Sequence, residues 1–165
     1  GSSQNYPPSV SPQILVDNFV KSLNFKNITA YSVCFINDGD RVFNFVPTAE
    51  AVSIYPGIFD NWDLASEKFF AQNFFSKFGA EDYPTFSLSN QNFVSVLPDS
   101  AVFVGDYEMV VNSRENSINN IYKGSLQMVL VPNMNGIWLI YRWYDLKTKN
   151  DGFPSLSILK AKLKS

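Results

Sequence analysis

The chain has 165 residues, 45% of them hydrophobic and 17% charged, with a net charge of −2 and a pI near 5.0. Those proportions suit one folded globule with a sizeable core and lack the basic footprint of a nucleic-acid binder. With no histidine and a single cysteine, Cys34, the chain cannot form an intramolecular disulfide, a Cys–His or Ser–His–Asp nucleophile set, or a histidine metal site, and no metal or cofactor is expected.

The opening, from Ser2 through Tyr6, Pro7, Pro8 and Ser9, is polar and Pro-rich. Residues 1–10 are therefore expected to be a tether, and 11–165 one domain. A segment following an export signal or lipid anchor has this look, as does an arbitrary start. The expectation is an exported domain, periplasmic or lipid-anchored, with the cytoplasm as the alternative. No apolar run approaches the ~20 residues of a membrane helix.

Ser11 and Pro12 form a helix-start signal. Leu15, Phe19 and Leu23 follow at a spacing of four, which predicts a helix over about 12–25. Asn27 predicts a second helix from Ile28 to about Phe35, with Cys34 as a small buried residue. Asn37, Asp38, Gly39 and Asp40 make a turn, and a short strand runs from Arg41 to Val46. Thr48 to Asn61 carries mixed signals and is expected to be a loop with one helical turn. Asp63 opens a third helix with Glu67 in its first turn, favoured by the helix dipole. Phe70, Phe74 and Phe78 line it, and Gly79 ends it.

Four long β runs follow: Tyr83–Leu97, Ala101–Asn112, Ile121–Val131 and Gly136–Leu146. The short breaks between them predict an antiparallel meander. Eleven residues of strand span roughly 35 Å, and strands that long normally bend. Gly105 and Gly124 are suitable bending points. Ser155 then caps a last amphipathic stretch, Leu156–Leu163. Lys160, Lys162 and Lys164 are expected to be a solvated helix end. Helices first and strands afterwards is the α+β pattern.

This order resembles the nuclear-transport-factor-2-like superfamily, also called SnoaL-like or ketosteroid-isomerase-like. Ser11 through Tyr31 resembles its opening helix pair, and Gly136 through Leu146 its last strand. The resemblance implies a cone in which N-terminal helices pack in the concave face of a long bent sheet. It also implies a sister subunit packed sheet to sheet. The superfamily includes isomerases, cyclases, dehydratases and hydrolases, so fold alone does not decide chemistry.

The candidate catalytic groups lie on the β runs. Asp106 and Glu108 share one strand face, either solvated or turned into the cavity, with Arg142 as a partner for either. Asp145 is a further candidate. Asp106 with Arg142 could form part of a hydrolase set. Tyr31 lies in an early helix, as the isomerases' tyrosine does. A pocket, if open, would be lined by Tyr31, Tyr55, Phe59, Trp62, Phe74, Trp138 and Tyr144; Tyr55, Phe59 and Trp62 could gate it or anchor their loop. On the last strand, Ile137, Leu139, Tyr141, Trp143 and Asp145 alternate with Trp138, Ile140, Arg142 and Tyr144. Both faces are apolar, which predicts burial on both and a homodimer through the sheet. The functional expectation is a pocket-bearing binding domain, for a small apolar ligand or a protein partner, with no evident catalytic set. The alternatives are a SnoaL-like enzyme using Asp or Glu with Tyr and Arg, and a structural subunit of an envelope assembly.

Overall fold

The structure, a computed structural model, describes residues 5–114 and 116–164. The first four residues of the expected tether lie outside the described residues.

Side-chain caps start most of the helices. Ser11 accepts from the Ile14 N–H at the head of α1 (Pro12–Asn24), Asn27 from Ala30 at α2 (Ile28–Ser32), and Asp63 from Ser66 at α4 (Leu64–Phe75). The expected loop after β1 (Asn44–Val46) contains α3 (Ala49–Ile54), capped by Thr48. α2 is shorter than its apolar run suggests. The Ile140 N–H donates to the Cys34 carbonyl at 2.7 Å, and Ile36 N–H donates back to Ile140 at 3.1 Å. The last strand thus takes over backbone groups that a longer helix would use. α4 ends at Phe75, before Gly79, because Lys77 and Phe78 close tighter i→i−3 turns on Phe74 and Phe75.

β2 (Thr85–Leu97), β3 (Ser100–Val110), β4 (Ile121–Pro132) and β5 (Trp138–Leu146) form the expected antiparallel meander. β1 adds to β5 in parallel, giving an open five-stranded mixed sheet in the order β1-β5-β4-β3-β2. β2 carries a bulge opposite Gly105, where Asn90 takes a φ of 51°, and a second one at Val94.

β5 also bulges. Arg142 pairs with Val129 while Ile140 pairs with Leu130, so Tyr141 is an extra residue. The bulge shifts the alternation by one. Trp138 and Ile140 before it, and Trp143 and Asp145 after it, all face the core. The uninterrupted alternation expected from sequence is corrected accordingly. One face of β5 is buried, and Leu139, Arg142, Tyr144 and Leu146 belong to the other.

On β3 the alternation is regular. Ala101, Phe103, Tyr107 and Met109 point into the core, and Asp106 and Glu108 point outward. The inner face is covered by α1 and by the last helix, α5 (Leu156–Lys164). Among the described residues, no helix is long and apolar enough to cross a membrane.

Candidate functional site

Two polar clusters lie on the inner side of the sheet, and both depend on α5. In the first, Glu67 and Lys160 are fully buried, with Lys160 Nζ 2.7 and 3.0 Å from the two Glu67 carboxylate oxygens. The Tyr31 hydroxyl donates to Glu67 at 2.7 Å and Trp62 Nε1 donates at 2.9 Å. Four rings surround the ammonium. Trp143 and Phe45 have centroids 3.5 and 3.7 Å from Nζ, and Phe70 and Trp62 lie at 5.4 and 5.9 Å. Burial draws the Lys160 ammonium down to about 8, against the attraction of Glu67. It drives the Tyr31 hydroxyl well above its usual range, reinforced by the nearby Glu67 charge. Trp143 Nε1 is buried with no hydrogen-bond partner among the described residues.

The solvated helix end expected for Lys160 is overturned. Lys160 shares a helical stripe with Leu156, Leu159 and Leu163, all buried, so the same face that seats the leucines carries the ammonium inward. Glu67 likewise falls in the stripe of Phe70, Ala71 and Phe74. Neither is among the site residues expected from sequence. Their visible sign in sequence is a charge at an apolar stripe position on each of two helices, with opposite signs.

The second cluster centres on Asp145, which is 2% exposed. Its carboxylate accepts from the Tyr107 hydroxyl at 2.6 Å and from the Ser157 N–H at 2.8 Å, and also from the Ser157 hydroxyl. The Tyr107 oxygen accepts from Leu156 N–H at 2.9 Å, and the Ser157 oxygen accepts from Thr48 N–H at 3.0 Å. The carboxylate thus sits at the positive end of α5 and fastens it to β3, β5 and α3. Burial raises the Asp145 carboxyl, while the Ser157 and Tyr107 bonds pull it back. Gly124 makes this reach possible. A Cβ there would lie 2.6 Å from the Tyr107 oxygen and 2.9 Å from the Leu146 carbonyl.

The other sequence candidates separate. Asp106 accepts from Ser125 at 2.6 Å and Asn90 at 2.7 Å, bonds that hold it below the usual carboxylate range. Glu108 pairs with Lys123 at 3.2 Å. Both border a polar cleft of about 330 Å³ on the outer face, with Lys147 and Lys149 on its rim. Arg142 donates to the carbonyls of Val42 and Tyr141, and its guanidinium stacks 3.9 Å from the Tyr141 ring.

Among the pocket candidates, Tyr31 and Trp62 meet at Glu67, and Phe74 stacks on Phe70 at 5.8 Å. Phe59 packs 5.5 Å from Trp62, and half-buried Tyr55 caps the end of α3. Trp138 lies at the opposite end of β5, where its backbone N–H donates to the Ser9 carbonyl at 2.7 Å. Tyr144 is on the outer side of β5. Cys34 is buried, and burial pushes its thiol up to about 12.

This helix-lined, bent sheet is the nuclear-transport-factor-2-like fold. No family model matches the chain, and no curated protein matches it by sequence. Solved structures do. A nuclear transport factor 2-like superfamily protein from Salmonella enterica serovar Typhimurium superposes with a TM-score of 0.59 at 16% identity, over 86% of this chain and 93% of that one. The β subunit of benzoate 1,2-dioxygenase from Burkholderia mallei gives 0.58 at 17% identity, over 88% and 93%. LinA gives 0.59 at 10% identity, over 83% of each chain.

Proposed function

We propose that this chain is a non-catalytic binding and assembly domain that acts through its outer sheet face, with a second copy of the chain as its partner there. The observation that carries this is the filling of the inner side. The place where a cone of this kind would receive a substrate holds Lys160, Glu67 and the rings of Phe45, Trp62 and Trp143, all at most 3% exposed. The acidic residues with room around them, Asp106 and Glu108, are tied to surface partners.

The outer face is built differently. Adjacent strands align Val46, Tyr144, Gln127 and Val104 in one row and Arg142, Val129 and Val102 in the next. Val46, Tyr144, Val104, Val129 and Val102 make these rows mainly apolar, with Gln127 and Arg142 among them and the Asp106, Glu108 and Lys123 charges to one side, a mixture that suits a modest protein interface. That a β subunit of a dioxygenase shares the fold is consistent with a role in assembly.

The test is the oligomeric state. Sedimentation velocity and native mass spectrometry at micromolar concentration should give twice the chain mass. Val104→Arg with Val129→Arg should give the single-chain mass with unchanged circular dichroism. A wild-type monomer would remove the proposal. A small molecule released on denaturation would instead favour a filled ligand pocket.

A further inference from the structure

The Glu67 cage is built by one set of elements and filled by another. Its carboxylate is held by Tyr31 from α2 and by Trp62, just ahead of α4. Its walls come from Phe45 on β1, Trp143 on β5 and Phe70 on α4. None of these belongs to α5, and the two donors to Glu67 fix the carboxylate without help from the lysine. Only the guest, the Lys160 ammonium on its alkyl stem, arrives from α5.

We propose that this cage is a binding site for a primary alkylammonium group, and that Lys160 occupies it from within the chain as an intramolecular ligand. The chemistry sets the class. Aromatic faces attract any cation, but the two short bonds to Glu67 need N–H donors, so a quaternary ammonium ion would lose them. The buried walls favour an unbranched apolar stem. The ends of α5 are held by Asp145 and Tyr107 at its start and by Asn73 Nδ2, which donates to the Leu163 carbonyl at 2.7 Å, near its finish. An amine from outside therefore competes with a tethered one. This site is separate from the sheet face and does not rest on the assembly role.

Lys160→Ala in the full chain removes three carbons and the nitrogen, the heavy atoms of n-propylammonium. Adding n-propylammonium chloride should raise the melting temperature of this variant saturably, by about 4 °C at ten times its Kd. Tetramethylammonium chloride, n-propanol and sodium chloride should not. Glu67→Gln on the same background should abolish the response, and Lys160→Met, which keeps the stem in place, should show none. If Lys160→Ala is unfolded alone, n-propylammonium should restore the near-ultraviolet circular dichroism of buried Trp62 and Trp143. An equal response to n-propanol or sodium chloride, or no response and no restored signal, overturns the proposal.

Discussion

Glu67 and Lys160 illustrate how a buried pair differs from its parts. Removing two charges from water costs several kcal/mol each, and only close, fully bonded geometry offsets that. Here Glu67 keeps the Tyr31 and Trp62 donors when the lysine is gone, whereas Lys160 has no other anion within bonding distance among the described residues. Glu67→Gln should therefore cost about 3–5 kcal/mol of unfolding free energy, and Lys160→Met less. The double variant should recover ~2 kcal/mol relative to the sum. Urea denaturation of all four proteins gives the coupling, and simple additivity would mean that the two side chains do not meet. The sequence reading drew Tyr31 and Trp62 to the same region but left out both charged residues. A lysine near a helix end is ordinarily solvated, and a glutamate in a first turn already has a reason to be there. Only when the apolar stripes of α4 and α5 are laid face to face do the two charges explain each other.

At the level of elements, three caps are legible because their chemistry is local, whereas the hydroxyl of Ser155 does not form the cap expected of it on α5. Ser11, Asn27 and Asp63 start the helices expected of them. What was hidden depends on a neighbour. The parallel β1–β5 pair joins segments about 100 residues apart, and the Tyr141 bulge is defined by β4 as much as by β5. Gly124 was legible as a bending point, but its close approach to Tyr107 needed the register. Gly124→Ala should push the Tyr107 hydroxyl off Asp145 and Leu156, costing about 1–3 kcal/mol, and Tyr107→Phe in the same chain should return part of that loss. Chemical denaturation measures both, and a loss below ~0.5 kcal/mol for Gly124→Ala would show that the contact relaxes freely.

For the molecule as a whole, the sequence leaves open which face of β3 is covered, since Asp106 and Glu108 suit either a solvated face or a cavity, and it does not show that α5 fills the inner side so fully. Asp145 makes that filling weaken as pH rises. Its folded value is raised by burial above the unfolded value of about 3.9, so the native state holds its proton the more tightly. The contribution is full below the unfolded value and is lost as pH rises through the raised one. Asp38, Asp106 and Asp151, all lowered, act in the opposite sense, their contribution fading as pH falls. The unfolding free energy of wild type minus that of Asp145→Asn should accordingly decrease from pH 3 towards pH 7. A flat difference would place the carboxylate in water.

The Glu67–Lys160 contact also spans 93 positions of chain. On the ribosome, Lys160 is made after all five strands, at roughly 5–20 residues per second. Until it emerges, Glu67 has no cation and the rings of the cage have no guest. Sealing of this side of the core thus follows the synthesis of the whole sheet, and the face that α5 covers stays open meanwhile, the interval in which a chaperone would find the most to hold.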